Sequence, residues 1–456
     1  MDLFSPEDPR PVHFMGIGGA GMSALALIAR RRGVQVTGCD SDPSGAADVA
    51  ALGATVLAGH DPAHVSGARA VVVTAAIPNE HPELVRAREL GIPVVRRKQA
   101  LAELVHGGRV VGVSGTHGKT TTTVMTTEAL TAAGLAPTGL AGGRVASWGG
   151  NAKLAGDALF VVEADEYDQA FLTLHPDVAV VNNVEADHLE CYGTLEALEQ
   201  AFVEFAGRAR RALVGTDDPG AARVAARLTV PVWRFGQGDA DIRIVTVDAG
   251  PDGSVARVRM PDGSDVTLRL RVPGLHNVKN ATAALGVVAA LGGKVAPALE
   301  ALAAFTGAGR RFERLGAARG VTFVDDYAHH PSELAATLQA ARQAFPGRRL
   351  IAVFQPHLYS RTDRHGEAMG QALAAADIAI VTEIYAAREA PMPGVSGRRV
   401  AQAAAASGGR AVFEPEFDQV GARVTELATK GDVVLTLGAG DITRIGRELV
   451  AAWRAS

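Results

Sequence analysis

This 456-residue chain is short of several things, and each shortage excludes a class of protein. Two cysteines, Cys39 and Cys191, are too few for a disulfide framework, which fits a reducing compartment. Aromatic residues make up only 5% of the chain, whereas Ala, Gly and Val are abundant. That balance disfavours an aromatic-rich β-sandwich and suits closely packed α/β layers. No run of about 18 uninterrupted apolar residues occurs, so no membrane span is expected. The first residues, Met1-Asp-Leu-Phe-Ser-Pro-Glu-Asp8, are acidic and lack the basic-then-apolar order of a secretory signal. A formal net charge of -4 leaves no general nucleic-acid footprint. Positive charge comes in small clusters, such as Arg96-Arg97-Lys98 and Arg310-Arg311. The expectation is a soluble cytoplasmic protein with no nucleic-acid partner. Hydrophobic residues reach 47%, enough for several cores, and the length suggests about three domains at ~150 residues each.

What is present is organised around Gly112-Val-Ser-Gly-Thr-His-Gly-Lys-Thr-Thr-Thr-Thr123. The apolar stretch 109–113 reads as a strand, the glycines as a turn, and 120–134 as a helix. Such a unit aims backbone N–H groups and a helix N-terminus at one point, as polyphosphate binding requires. Gly115, Thr116, His117, Gly118, Lys119, Thr120 and Thr121 are the expected ATP loop. Lys119 would reach the β- and γ-phosphates, and a hydroxyl of Thr120 or Thr121 would hold Mg²⁺. Two residues separate Gly115 from Gly118, where the strict P-loop has four. An ordinary strand-to-helix turn explains the glycines, but not a lysine followed by four threonines.

A second glycine loop precedes it. Strand 12–15 runs into Gly16-Ile-Gly-Gly-Ala-Gly21, helix 22–32 follows, and strand 34–38 leads to Asp40, 19 positions after the last glycine. This βαβ unit carries the dinucleotide fingerprint, whose glycines admit a pyrophosphate and whose acid takes a ribose hydroxyl. The pattern specifies a diphosphate-linked nucleoside and does not choose among NAD, FAD and UDP. Further strands at 55–57, 70–74 and 92–95 make a doubly wound parallel sheet. Its strand ends bear Asp40-Ser41, His60 and Thr74, where ligands bind in such sheets. His60 reads equally well as a loop histidine that binds nothing.

Beyond the ATP loop, a buried strand ends in four carboxylates, Glu163, Asp165, Glu166 and Asp168. Strand 178–184 then ends in Glu185-Ala-Asp-His-Leu-Glu190. Either run alone reads as a solvated acidic loop. Together, after the ATP loop, they suggest a hard-metal site for Mg²⁺ with His188 completing the shell. Alternating strands at 241–247, 254–260 and 265–272 suggest a small antiparallel insert at one edge of the central domain. Asn277 and Asn280 bracket the first turn of the next helix, where they could cap it or face an adenine. A second doubly wound sheet follows, with strand ends at Asp325-Asp-Tyr-Ala-His-His330, Gln355-Pro-His357 to Arg361, and Tyr385. Three such loops at strand ends suggest a binding cleft. The expected architecture is therefore α/β in three domains. These are a Rossmann-like domain over 1–106, a P-loop ATPase-like domain with a β insert over 107–308, and a Rossmann-like domain over 309–456.

With these motifs in hand, the chain resembles the Mur ligase family along essentially its full length. The resemblance rests on Gly16 to Ser23, Gly115 to Thr121, Glu163-Ala-Asp-Glu166, Asn183 to His188, His276 to Ala281, Asp325 to Pro331 and Tyr385 to Gly394. It implies ATP-dependent joining of L-alanine to the carboxylate of UDP-N-acetylmuramate through an acyl phosphate, in peptidoglycan synthesis. Alternatives are the recycling reaction, in which a preformed tripeptide is joined to the same carboxylate, and, more remotely, a nicotinamide-dependent oxidoreductase. By resemblance, Gly16, Gly18, Gly19, Gly21, Met22, Ser23, Asp40, Ser41, His60 and Thr74 would bind the UDP-sugar. Asn280, Arg310 and Asp325 would contact ATP across the domain boundary. Tyr327, His329, His357, Arg361 and Arg388 would receive the amino acid. Lys119, Glu163, His188, His329 and His330 are the implied catalytic set. Two Mg²⁺ ions, replaceable by Mn²⁺, would be held by Thr120, Glu163 and His188. Two departures stand out. Several relatives carry a carbamylated lysine near the second metal, but no lysine lies between Lys153 and Lys279. Many also have arginine where this chain has Leu358.

Overall fold

The computed structural model describes residues 2–455 apart from Ala75 and Arg388. The described residues form three sheets, and the chain divides into two compact units. One comprises Met1–Val245, Arg257–Val266 and Lys279–Leu302; the other comprises Thr246–Ala256, Thr267–Val278 and Ala303–Ser456. The first sheet contains β1 (Val12–Met15), β2 (Val36–Asp40), β3 (Thr55–Ala58), β4 (Ala70–Val73) and β5 (Val94–Arg96). Its order is β3-β2-β1-β4-β5 with every neighbour parallel. The chain thus winds outward in both directions from β1, and the loop after β1 lies at the switch point where such sheets open a crevice.

The second sheet holds β6 (Arg109–Ser114), β7 (Thr138–Val145), β8 (Gly150–Lys153), β9 (Leu159–Glu163) and β10 (Val178–Val181). It continues through β11 (Arg211–Gly215), β12 (Val232–Gly236), β13 (Ile242–Gly250), β14 (Gly253–Arg259) and β15 (Asp265–Leu270). The order is β15-β14-β13-β12-β11-β10-β6-β9-β7-β8. The expected insert therefore extends the edge of the central sheet. β6 lies between β9 and β10, parallel to both. Its continuous burial, with that of β10, explains the unbroken apolar runs in sequence.

The third sheet holds β16 (Glu313–Ala318), β17 (Val321–Asp326), β18 (Leu350–Phe354), β19 (Ile378–Thr382), β20 (Ala411–Glu414) and β21 (Val433–Leu437). The order is β16-β17-β21-β18-β19-β20, and only the β16–β17 edge is antiparallel. Helices cover both faces of this sheet and bury two separate apolar layers.

The first and second sheets share one core. The helix Ala20–Arg31 is buried at every position from Met22 to Ala29, and the apolar cluster runs without a break from Leu3 to Ala225. Among the described residues no helix is long and apolar enough to cross a membrane.

Candidate active site

The loop after β6 ends at the helix Lys119–Ala132, one residue earlier than the threonine run suggested. Gly118 caps that helix in the left-handed region at φ +78, which a side chain would strain. A Cβ there would also lie 2.7 Å from Asn280 Oδ1. The loop is propped from β10: Asn183 Oδ1 accepts the His117 N–H at 2.7 Å, and Asn182 donates to Thr122 Oγ1 at 3.1 Å. The helix's first-turn N–H groups are those a helix leaves without an internal partner, and no acidic residue lies among them. Lys119 Nζ is held at 2.8 and 2.9 Å by the two Glu166 oxygens and at 2.8 Å by the Gly115 carbonyl. Burial alone would lower its pKa. The charges of Glu166, Asp165 and Glu163, together with the Glu166 hydrogen bonds, outweigh that and push it up. Lys119 is therefore a fixed cation.

The four carboxylates after β9 separate in space. Register places Glu163 beside Val113. The Thr120 hydroxyl donates to Glu163 Oε1 at 3.0 Å, and the Gly142 N–H donates to Oε2. Asp165 instead faces Arg97 at 3.8 Å and Asp168 faces Lys98 at 3.1 Å, while Glu166 serves Lys119. The acidic run therefore does not act as one group. Lysine and arginine from the Arg96-Arg97-Lys98 cluster neutralise two of the acids, and Glu163 is the one beside a loop hydroxyl. A Cβ at Gly142 would lie 2.5 Å from Glu163 Oε1, so the glycine keeps that approach open. His188 stands at φ 53, with Nδ1 3.4 Å from Glu190 Oε1 and its ring edge-on to Tyr167. Burial would lower its pKa, but the Glu190 hydrogen bond and the charges of Asp187 and Glu166 raise it.

At the first sheet, Asp40 Oδ2 accepts the Gly18 N–H at 2.9 Å and Oδ1 accepts the Asp42 N–H at 3.0 Å. Its nearest role is thus to hold the glycine turn. Thr74 borders Gly16, whose added Cβ would lie 3.2 Å from Thr74 Cγ2. Gly19 caps the helix Ala20–Arg31 without a side-chain bond, and Met22 and Ser23 are buried in its first turn. Ser41 reaches back to Asp40 at 3.4 Å. A Cβ at Gly21 would lie 2.7 Å from Arg97 Nη1, so a guanidinium stands beside the helix N-terminus. That charge suits a diphosphate. Sequence reading placed Arg97 only in a basic cluster; its place at the loop depends on β5 lying next to β4. His60 is turned to Cys39 Sγ at 3.3 Å and Glu83 Oε2 at 3.1 Å.

In the third sheet, Arg310 Nε pairs with buried Asp325 at 3.2 Å, and Asp325 also accepts from Thr436 at 2.6 Å and Thr443 at 2.9 Å. Asp326 accepts the N–H groups of Phe312 and Ala328, and burial pushes its carboxyl up to about 6. Arg310 and Arg311 stack on Tyr327. A row of rings follows: Tyr327 to His329 at 5.3 Å, His329 to His357 at 6.0 Å, and His357 to Tyr385 at 5.8 Å. Arg361 is buried with Nη1 3.1 Å from His357 Nδ1. Glu333 accepts the N–H groups of His329 and His330 and so starts the helix Pro331–Ala344. Leu358 takes φ 68 and caps the helix Tyr359–Leu373. Arg388 lies outside the described residues. Asn277 and Asn280 part company: Asn277 donates to the Pro273 carbonyl at 2.7 Å, whereas Asn280 borders the loop after β6 at Gly118.

Three family profiles match the chain in order: Mur ligase family, catalytic domain, over residues 11–109; Mur ligase middle domain over 113–288; and Mur ligase, glutamate ligase domain, over 310–440. The chain belongs to the Mur ligase family and is an ATP-dependent, amide-forming ligase. Within the family it is 44% identical to the UDP-N-acetylmuramate–L-alanine ligase of Cutibacterium acnes, covering 99% of this chain and 97% of that one. Its fold is similar to the UDP-N-acetylmuramate-alanine ligase of Thermotoga maritima, with TM-score 0.85, 29% identity and coverage of 98% and 99%. It is also similar to a murein peptide ligase of Psychrobacter arcticus, with TM-score 0.74, 26% identity and coverage of 97% and 98%.

Proposed function

We propose that the chain joins L-alanine to the carboxylate of UDP-N-acetylmuramate, converting ATP to ADP and phosphate, in the cytoplasmic stage of peptidoglycan precursor synthesis. Residues 1–106 would take the UDP-sugar, 107–308 the Mg-ATP, and 309–456 the amino acid. The observation that carries the reading is the Thr120–Glu163 contact of 3.0 Å beside a lysine whose ammonium is fixed by Glu166. An oxidoreductase would leave that group idle.

A carboxylate is a poor acyl donor and must first attack the γ-phosphate. Two unit negative charges about 4 Å apart repel by about 4 kcal/mol at an effective dielectric constant near 20. That is about three decades in rate, so fixed positive charge is indispensable. Lys119 supplies it, with Gly115 to Thr121 orienting the phosphates by their backbone and Asn280 at the Gly118 edge. The adjacent oxygens of Thr120 and Glu163 fit a hard divalent cation. They would hold one Mg²⁺, and His188 with Glu163 a second; Mn²⁺ can replace either. When bound, Mg²⁺ neutralises charge on the phosphoryl oxygens. Arg310 and Asp325 act as an ordered pair in the third domain.

The acyl phosphate is then attacked by the amine of alanine, which must first lose a proton. His329 Nδ1 lies 2.9 Å from the Tyr327 carbonyl. A donated N–H there fixes the tautomer whose Nε2 is basic. We assign His329 as the general base, with His330 at the start of its helix as the alternative. Tyr327 and His357 would line the amino-acid pocket, and Arg361 would answer the amino-acid carboxylate in place of an arginine at Leu358. The UDP-sugar would take Gly16, Gly18, Gly19, Gly21, Met22, Ser23, Asp40, Ser41 and Thr74; His60 is engaged elsewhere.

The test is phosphate release with Mg-ATP and UDP-N-acetylmuramate, offering L-alanine or the L-Ala-γ-D-Glu-diaminopimelate tripeptide. Release driven by free alanine, one amide per ATP, is the expected result. Release only with the tripeptide would assign the recycling reaction instead.

A further inference from the structure

The face of the first sheet opposite the helix Ala20–Arg31 is covered by the helix Pro82–Glu89. Beneath it, His13 and Cys39 from β1 and β2 meet His60, His64, His81 and Glu83. Glu83, His13 and Cys39 are fully buried. Among the described residues no lysine or arginine pairs with Glu83; its oxygens meet His60 Nδ1 at 3.1 Å, His64 Nδ1 at 3.1 Å and the Asp61 N–H at 3.0 Å. A buried carboxylate without a permanent cation is costly, and none of these contacts has a part in the ligase chemistry above.

We propose that Cys39, His60, Glu83 and His13 form a binding site for one zinc-type divalent ion. Cys39 Sγ lies 3.3 Å from His60 Nδ1, 3.3 and 3.4 Å from the Glu83 oxygens, and 3.4 Å from His13 Nε2. With His60 Nδ1 at 3.1 Å from Glu83 Oε2, three donors from three separate segments form a closed triangle. Ligands at tetrahedral zinc distances of 2.0–2.3 Å are separated from each other by about 3.3–3.8 Å. The Cys39–His60–Glu83 triangle therefore already stands near the spacing of a tetrahedral shell, and His13 offers a ligand atom within 4.8 Å of those of Cys39 and Glu83. His13 Nδ1 is held 2.9 Å from Thr37 Oγ1, which orients Nε2 toward the cluster, the outer-shell arrangement of zinc histidines. A thiolate and a carboxylate carry two negative charges, so a divalent ion leaves the buried site neutral. Sulfur and imidazole donors select zinc over Mg²⁺. The His60 and His81 side chains, 28% and 20% exposed, give a route in from solvent.

The location gives the ion a role. The Cys39 carbonyl accepts the N–H groups of Gly16 at 2.8 Å and Ile17 at 3.2 Å. An ion on Cys39 would brace the strand end that holds the first glycine loop.

The experiment uses full-length protein stripped with chelator, titrated with Zn²⁺ by calorimetry and with Co²⁺ by absorbance. The expected result is one ion per chain, release of the Cys39 thiol proton, and a thiolate-to-cobalt charge-transfer band. Cys39→Ser, nearly isosteric, should abolish the band and weaken Zn²⁺ binding at least about 100-fold, and Glu83→Gln should weaken it comparably. Cys191→Ser should change neither readout. Zn²⁺ should raise the melting temperature of the wild type and not of Cys39→Ser. A stripped wild type that gives no charge-transfer band, or a Cys39→Ser protein that binds Zn²⁺ as tightly as wild type, would overturn the site.

Discussion

The loops after β1 and β6 both carry a buried parallel strand through glycines into a helix N-terminus, but different side chains finish them. At the first, Asp40 takes a loop N–H and Arg97 stands at the helix start. At the second, a lysine is clamped by one glutamate while a neighbouring hydroxyl meets another. A diphosphate that only has to be held needs N–H groups and one cation. A phosphoryl group that changes partners needs charge fixed at the place where new charge appears. On the proposed function, the same backbone serves anchoring in one place and transfer in the other.

Lys119→Ala should separate the two roles most sharply. Turnover should fall about 10³-fold or more, while UDP-N-acetylmuramate binding, measured by calorimetry without ATP, stays unchanged. Equal losses in both would break the distinction. Glu163→Gln should lower kcat by about 10²-fold and raise the Mg²⁺ concentration for half-maximal rate, read from a metal titration. At the other loop, Gly18→Ala would place a Cβ 2.5 Å from the Asp42 carbonyl oxygen. It should raise KM for the UDP-sugar about 10-fold with little change in KM for ATP.

The mildest test leaves both loops alone and probes the end of β17, where no glycine loop forms. Asp326 has its pKa raised from 3.8 to about 6, chiefly by burial. The folded state then holds that proton more tightly than the unfolded one. The contribution is fully present below about pH 4 and is lost as pH rises through about 6, by at most about 3 kcal/mol. Asp326→Asn should flatten this fall, seen as urea midpoints that drop less between pH 4 and pH 7 than those of the wild type.

Much of this was legible in sequence. The uninterrupted apolar runs of β1, β6 and β10 mark strands buried on both faces, and the glycine spacings mark the turns between them and their helices. The sequence predicts a strand over 34–38 leading to Asp40, and the structure forms it two residues later, at Val36–Asp40. Spacing did not reveal which glycine caps the second helix, because either could adopt the left-handed conformation. Nor could it sort the acids after β9. Asp168 meets a lysine 70 positions away, and that choice is made only when the first sheet packs on the second. The two asparagines of the helix Leu275–Ala290 were indistinguishable for the same reason. One answers its own chain four residues back, and the other borders a loop that arrives from elsewhere.

The helix Ala20–Arg31 belongs to two neighbours at once. It packs on its own sheet and on β7 and β8, and Asn151 of β8 donates to the Ala20 carbonyl at 3.0 Å and to Ser23 Oγ at 2.8 Å. A chain cut after His106 would therefore strip one side of a helix that has no polar side to show to water. Chimeras between family members should exchange this helix together with the β7–β8 hairpin rather than at the intervening loop, and the first two sheets should melt as a single calorimetric event.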